Sequence, residues 1–398
     1  MKKITTLVLL TGMLFSACKN NRSGDLRTAG VTVKVNYPAT YSQQSASQAS
    51  VTITSIADGS TKTAAAGNDG QAVFSGVLPG SYHLSATRNL TAQEALTLTG
   101  VGQELTLNAA SNNVTVSGTE DVTFTLELQG TVAGSLLIKE VYYTGSKTVA
   151  GGTYFSDQFV EIYNNSTDTL YLDSLCIGDA YGNSGLINPN SLPTPFNTDN
   201  QHVYLSNVWR IPGTGKDRKL APGRSIIIAQ DGVNHKDALL NPASPVDLSK
   251  ADWEAYNERP DGRDADAPAV PNLERVYFTG GFDWLLTVFG PGVVIFRANF
   301  ESLEKVAIPG STLDPRIKVP NSAVIDAFEG LKDAGSVAYK RIPTALDAGF
   351  VYADDTYNMQ SFRRKTATTI NGRKVLQDTN NSSTDFEKLA APTPKVFQ

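Results

Sequence analysis

The chain has 398 residues, of which 40% are hydrophobic and 18% charged, and its formal net charge is −5. This composition is typical of ordered globular domains and excludes a disordered, collagen-like or coiled-coil protein. The length favours two or three domains, and the lack of a membrane-spanning apolar run beyond the N-terminus excludes a multi-span membrane protein.

The N-terminal segment has the basic, apolar and small-residue regions of a secretory signal peptide. Two lysines precede an apolar stretch from Leu7 to Phe15, and two small residues then lead to Cys18. This ending resembles the lipobox of bacterial lipoproteins, which implies a signal peptide over residues 1–17 and a lipid on Cys18. Cleavage by the ordinary signal peptidase is the alternative. Residues 18–29 are predicted to tether the membrane anchor to the first domain.

Charge and cysteine content narrow the partners and the chemistry. Removal of the signal peptide takes away two lysines and makes the chain still more acidic. Nucleic acid is therefore excluded as a partner, because phosphate neutralisation needs a concentrated basic face. With Cys18 lipidated, Cys176 has no disulfide partner and is predicted to be an inert buried thiol.

Residues 30–129 are predicted to form a β-sandwich. Apolar and polar residues alternate through short runs that are separated by Gly-containing turns, as in half-buried strands. The segment from Gly70 to Leu84 resembles prealbumin-like, or carboxypeptidase-regulatory-like, modules of bacterial envelope proteins. That resemblance implies a spacer module without chemistry of its own.

Residues 136–398 are predicted to form a second, larger sandwich. Its strands are rich in β-branched and aromatic residues and are expected at 136–143, 159–163, 170–172 with 175–177, 225–229, 293–296, 323–328 and 337–342. The segments Leu137–Tyr143, Phe159–Asn165, Leu220–Ala229, Ala323–Ala327 and Asp378–Phe386 resemble, in this order, a lamin-tail domain, which is an immunoglobulin-like sandwich. Such sandwiches have roughly 100 residues, so long insertions are expected at about 180–218 and 231–320.

One short helix is predicted inside the second insertion. Ser249 and Asp252 have the spacing of a capping box before a helix from Lys250 to Glu258. The predicted fold class is therefore all-β: a prealbumin-like sandwich followed by a lamin-tail-like, immunoglobulin-like sandwich with long insertions and one short helix.

No catalytic set is recognisable. The three histidines are isolated in sequence, and neither a His-Glu-x-x-His zinc motif, a Gly-x-Ser-x-Gly elbow nor a phosphate-binding loop occurs. We therefore expect no catalytic residue, no cofactor and no metal site. The acidic group Glu258, Asp261, Asp264 and Asp266 is interpreted as a solvated loop, and the oxygen-rich stretch from Asp378 to Asp385 as turn caps rather than a calcium loop.

Aromatic residues in the insertions are the remaining candidates for binding. Trp209, Trp253, Tyr256 and Trp284 could stack on sugar rings or anchor a protein. Burial in a local core is the alternative for these side chains. The basic run 363–365 is interpreted as a solvated hairpin flank.

Taken together, the chain resembles Bacteroidetes-type lipoproteins and is predicted to be a non-catalytic outer-membrane lipoprotein that binds a protein or glycan. By analogy with such lipoproteins, a β-barrel transporter is the preferred protein partner. The alternative is a hydrolase, or a hydrolase accessory, that acts on envelope or dietary polymers. Both periplasm-facing and surface-exposed placements are open, because residues 19–22 contain no acidic run.

Overall fold

A computed structural model describes residues 27–38, 41–99, 105–118, 120–132, 135–166, 168–264, 266–370 and 372–396. The predicted signal peptide and Cys18 lie outside these residues. Across the described ranges no helix is both long and apolar enough to cross a membrane.

The prediction of an all-β fold is confirmed. The first eight strands are β1 (Ala29–Asn36), β2 (Ser50–Ser55), β3 (Thr61–Ala65), β4 (Gln71–Val77), β5 (Gly80–Leu90), β6 (Leu105–Val116), β7 (Val122–Glu127) and β8 (Gln129–Val132). A helix, α1 (Ala92–Thr99), follows β5.

These strands form a three-stranded sheet in the order β4-β1-β7 and a five-stranded sheet in the order β3-β2-β5-β6-β8. Strand β1 shows how the sheets pack: Val31, Val33 and Val35 are fully buried while the residues between them reach the surface. Apolar residues of both sheets meet in one core between Ala29 and Leu128. We refer to this unit as the N-terminal sandwich.

The following strands are β9 (Leu136–Tyr142), β10 (Ser146–Lys147), β11 (Thr153–Tyr154), β12 (Phe159–Asn164), β13 (Leu170–Tyr171), β14 (Cys176–Ala180), β15 (His202–Arg210), β16 (Lys219–Leu220), β17 (Ser225–Ala229), β18 (Trp253–Glu254), β19 (Glu274–Tyr277), β20 (Gly292–Phe296), β21 (Glu304–Val306), β22 (Arg316–Pro320), β23 (Val324–Glu329), β24 (Ser361–Arg364), β25 (Thr366–Ile370), β26 (Arg373–Leu376) and β27 (Phe386–Leu389). A single helical turn, α2 (Ser382–Asp385), precedes β27.

A six-stranded sheet, β18-β17-β12-β9-β24-β27, faces a seven-stranded sheet, β21-β22-β15-β14-β20-β23, in which β19 pairs with the end of β15. Their facing side chains form the core of what we refer to as the C-terminal sandwich. Strands β9 and β12 are buried on both faces, because the segment from Val246 to Val270 packs on one end of their outer face and Leu376 packs on the other end.

The expected insertions supply parts of the sandwich itself. Residues 180–218 include β15, a central strand of the seven-stranded sheet, and residues 231–320 include β18 to β22. The strands of these segments were hidden in the sequence because Pro, Gly, Asn and Asp surround them.

Two local predictions were wrong. The segment from Lys250 to Glu258 is not a helix: Trp253–Glu254 pairs in parallel with β17, and the Asp252 carboxylate accepts the Ile227 amide at 2.7 Å instead of capping a helix. The strand expected at 337–342 is replaced by a 3-10 helix at Ala334–Tyr339.

Candidate functional site

The outer face of the five-stranded sheet in the N-terminal sandwich is lined with hydroxyl groups. Because side chains alternate along a strand, Val51 and Ile53 of β2 point into the core while Thr52 and Thr54 point outward. The hydroxyl-lined face therefore results from the alternation of apolar residues and threonine in the β2 sequence.

Antiparallel pairing extends this pattern across three strands. One row consists of Thr63, Thr52 and Ser85, and the Oγ1 atoms of the two threonines lie 3.0 Å apart. The next row ends at His83. Cross-strand neighbours on one face lie about 5 Å apart, so these rows form a continuous polar floor.

A loop of the C-terminal sandwich covers the edge of this floor. The Phe350 ring meets the His83 ring edge-on, with centroids 6.1 Å apart, and the Tyr352 ring lies 6.5 Å from that of Phe350. Tyr352 is 36% exposed. Two aromatic rings therefore stand over a sheet of hydroxyl groups.

Buried polar contacts hold this loop in place. The Asp347 carboxylate accepts the backbone N–H groups of Gly349 at 2.9 Å and Ser382 at 2.8 Å, and the Lys340 ammonium donates to the Gly349 carbonyl at 2.5 Å. A Cβ atom on Gly349 would overlap the Asn381 side chain. Only glycine allows the two loops to approach this closely.

The space between floor and loop is a cleft of about 640 Å³, which is within the usual range for small-ligand sites. Of its 22 lining residues, 11 are serine or threonine, so its polar groups are mainly neutral hydroxyls. None of the described lining residues is acidic, and the one arginine, Arg88, is paired with Glu94 at 2.7 Å. Such a lining suits a neutral ligand that exchanges many hydrogen bonds.

His83 is the buried polar group of the cleft. It is 8% exposed, and the Asn112 side chain and the Ala348 backbone lie beside its ring. Burial, assisted by the charge of Lys340, lowers the pKa of His83 to about 4. The ring is therefore neutral at physiological pH, so it adds no charge to the lining of the cleft.

Three of the aromatic candidates from the sequence are core residues. Trp209, Trp253 and Trp284 are 0%, 5% and 2% exposed, and the indole N–H of Trp284 donates to Asp179 at 2.9 Å. These rings have no free face for stacking, because the strands around them form the core between the two large sheets. Tyr256 is half-buried and does not line the cleft.

The acidic groups from the sequence separate in the structure. Asp261 is paired with Arg259, and Asp266 accepts from Asn272, whereas Asp264 is 4% exposed and faces other carboxylates that are described below. The interpretation of Asp264 as part of a solvated loop was therefore wrong.

The oxygen-rich stretch near the C-terminus is engaged in structural contacts. Asn381 caps α2 by accepting the Thr384 amide, and Asp378 and Asp385 pair with the guanidinium of Arg364, at 3.4 and 3.3 Å. A fixed cation thus already contacts both carboxylates. Arg364 is 2% exposed, so the interpretation of 363–365 as a solvated flank was wrong.

Sequence reasoning missed the cleft. The alternation of Thr with Val and Ile in β2 was visible, but nothing in the sequence shows that residues 349–352 fold over that face. Phe350 and Tyr352 flank a single valine, Val351, which is the spacing that places two side chains on one side of an extended segment.

Comparisons with known proteins agree with this architecture. A family model described as "Protein of unknown function (DUF4876)" matches residues 221–393. The chain is similar to a DUF4876 family protein from Bacteroides thetaiotaomicron VPI-5482, with 29% identity, a TM-score of 0.58, and coverage of 90% of this chain and 94% of that chain.

More distant matches are weak. A proposed adhesin from Bacteroides ovatus ATCC 8483 has 11% identity and a TM-score of 0.19 over 66% of this chain and 99% of that one. The full-length major pilin SpaD from Corynebacterium diphtheriae has 10% identity and a TM-score of 0.17 over 54% and 70%. At these TM-scores the likeness does not extend to the overall fold. No curated protein matches the chain.

Proposed function

We propose that this chain is a non-catalytic binding protein of the bacterial cell envelope, and that the cleft between its two sandwiches holds a neutral glycan. The observation that supports this is the hydroxyl-lined floor beneath Phe350 and Tyr352. Sugar rings present hydroxyl groups at their edges and C–H faces above and below, which matches hydroxyl partners on one side and aromatic rings on the other.

The anchoring part of the proposal rests on the N-terminal sequence. A lipid on Cys18 would hold the protein at the outer membrane, with a prealbumin-like sandwich near the membrane and a lamin-tail-like sandwich beyond it. In this arrangement the N-terminal sandwich is more than a spacer, because it supplies the floor of the cleft. A β-barrel transporter next to such a receptor would take up the glycan that the cleft presents.

Glycan binding is tested with the purified chain on a glycan array, followed by calorimetric titration of the best ligand. We expect Tyr352→Ala to weaken binding by about 10-fold or more, because loss of one aromatic stacking face costs on the order of 1–2 kcal/mol. Tyr256→Ala is the matched control, because it removes the same side chain from a half-buried position outside the cleft.

Two outcomes would contradict this proposal. One is an array on which the folded wild-type chain retains no glycan. The other is equal weakening of binding by Tyr352→Ala and Tyr256→Ala, which would locate the site away from the cleft.

The anchor is tested in cells that are grown with a labelled fatty acid. We expect the wild-type chain to incorporate the label and the Cys18→Ser variant to lose both the label and membrane association. Protease treatment of intact cells then distinguishes a surface-exposed from a periplasm-facing protein. A labelled Cys18→Ser variant would contradict lipidation at this residue.

Hydrolysis of envelope or dietary polymers is the alternative function. It is favoured by the carboxyl group of Asp264, whose pKa burial raises to about 6, in the range of a general acid. A screen on polysaccharides and nucleic acids distinguishes the two functions. Turnover that disappears in Asp264→Asn would replace the binding proposal with this alternative.

A further inference from the structure

Three aspartates from distant parts of the sequence meet beside the C-terminal sandwich. Asp231 follows β17, Asp264 lies in the segment after β18, and Asp283 precedes Trp284. One carboxylate oxygen from each lies within 4.8 Å of the other two. Three like charges at this separation repel one another unless something between them compensates.

Protein groups satisfy only part of this cluster. The Asp264 Oδ2 atom accepts the Asn257 amide at 2.8 Å, and the Asp283 Oδ2 atom accepts from the Gln230 side chain. The Oδ1 atom of Asp264 is buried and has no hydrogen-bond partner in the described residues, while the Asp283 carboxylate also accepts the Trp284 amide. Buried acceptors without partners are rare and call for an explanation.

The buried side chain of Gln230 adjoins this cluster. Its side chain is 2% exposed and ends at Asp283, to which its Nε2 donates. Its Oε1 atom is buried and has no partner among the described residues. The orientation of the amide is fixed, because the reversed amide would bring its oxygen against the Asp283 carboxylate. Three carboxylates thus meet at one point, and the Gln230 side chain adjoins them through Asp283.

The nearby cations are engaged elsewhere. Arg259 binds Asp261 through two hydrogen bonds of 2.7 and 2.8 Å, and the Arg263 guanidinium lies over the Phe282 ring, 4.4 Å from its centroid. The cluster therefore differs from the Asp378 and Asp385 pair, which contacts the guanidinium of Arg364.

We propose that Asp231, Asp264, Asp283 and Gln230 bind a divalent cation, and that this cation is calcium. Carboxylate and amide oxygens are the ligands that hard cations prefer, and none of the four donors is a nitrogen or sulfur ligand of the kind that selects zinc or copper. Asp231 is half-buried, so water can complete the six to eight oxygen ligands that calcium takes.

Calcium at this position would link the end of β17 to two later segments of the chain, those that contain Asp264 and Asp283. Gln230 and Asp231 directly follow β17, while Asp264 and Asp283 belong to separate segments of the 231–320 region. The cation would therefore cross-link chain segments that no disulfide joins, and its binding energy would add to the stability of the folded state.

The site is tested with the full chain after removal of metal by EDTA. Calorimetric titration with CaCl2 is expected to show one saturable site with a Kd at or below about 1 mM, the range of extracellular calcium modules. The thermal midpoint is expected to rise with calcium. Magnesium is expected to bind at least about 10-fold more weakly, because it demands a smaller, near-octahedral site.

Matched variants locate the site. Asp283→Asn is expected to abolish the calcium-dependent rise of the thermal midpoint while the metal-free variant stays folded, because the substitution removes repulsion. Gln230→Met should weaken calcium binding without changing the charge. Asp261→Asn, a change of the same type in the same region, should respond to calcium as the wild type does, because Asp261 is paired with Arg259.

Three results would overturn the proposal: a wild-type chain that shows no saturable calcium binding, an Asp283→Asn variant that binds calcium as the wild type does, or magnesium that binds as tightly as calcium. If Asp283→Asn fails to fold, the calcium titration of the wild type and of the Gln230→Met variant still tests the proposed site.

Discussion

At the scale of the residue, His83 shows how position changes the chemistry of a side chain. In the sequence it is an isolated histidine within an alternating strand. In the structure Phe350 covers it, and burial lowers its pKa to about 4. The strand pattern was readable from the sequence, whereas its partner 267 residues further along the chain was not, because no local pattern encodes a contact between two sandwiches.

This lowered pKa makes stability depend on pH. Between about pH 6.5 and pH 4 the unfolded chain binds a proton at His83 that the folded chain does not, so the contribution of His83 to stability is lost as the pH falls. A pKa lowered this far corresponds to on the order of 3 kcal/mol. We expect thermal melts of His83→Gln and the wild type to diverge in favour of the variant as the pH falls from 7 to 4.

The comparison between variant and wild type cancels the contributions to stability from the other groups that titrate in this range. One of these groups is His235, whose pKa burial also lowers to about 4. His202→Gln is the control, because His202 is half-buried at the surface beside Asp199. A His83→Gln difference that does not change with pH would show that His83 is solvated in the folded protein.

At the scale of the element, two capping patterns had different outcomes. Thr91 and Glu94 form a capping box before α1: the Thr91 amide donates to the Glu94 carboxylate at 2.8 Å, and the Glu94 amide donates to the Thr91 hydroxyl at 3.3 Å. We predicted a helix at Ser249 and Asp252 instead, where the Asp252 carboxylate binds β17 and the Lys395 ammonium.

The difference has a physical basis. Asp252 is one methylene shorter than the Glu of a standard capping box, and the Trp253 ring beyond it is buried in the core of the C-terminal sandwich. Strand identity was predictable wherever apolar residues alternate or run together. Short strands such as β18 were not predictable, because their two residues are extended only through pairing with a neighbouring strand.

Arg364 links the two sheets of the C-terminal sandwich. Its guanidinium donates to the Ile138 carbonyl of β9 at 2.9 Å and to the Asp326 carboxylate of β23 at 2.6 Å, and Asp326 also accepts the Ile138 amide. Despite this pairing, burial raises the pKa of Asp326 to about 7. The charge of Arg364 opposes this rise in the pKa of Asp326 but does not cancel it.

We expect Arg364→Met to destabilise the protein by about 3–5 kcal/mol, because it leaves buried carboxylates without a cation. Denaturant unfolding measures the loss. Arg210→Met is the control: Arg210 pairs with Glu274 at the surface, where such a pair is worth about 0–1 kcal/mol. Equal losses in the two variants would mean that the buried network contributes no more than a surface pair.

At the scale of the whole molecule, the two sandwiches have separate apolar cores and meet through polar groups. One core lies between Ala29 and Leu128, and the other between Leu136 and Phe386. Between them lie the hydroxyl-lined cleft and a second polar cavity that is bordered by Asn108 and Lys340. A polar junction buries little apolar surface, so it contributes less to the stability of the folded protein than an apolar junction would. The folding of the two cores is therefore only weakly coupled.

We therefore expect the sandwiches to unfold as separate cooperative units, with two transitions in differential scanning calorimetry. Ile53→Ala and Ile295→Ala each remove a buried side chain, one from each core, and should cost about 2–5 kcal/mol in their own unit. Each variant should lower one transition and leave the other within about 1 °C of its wild-type temperature. A single transition that both variants lower by the same amount would show that the two cores unfold together, and that the junction between them is stronger than its polar lining implies.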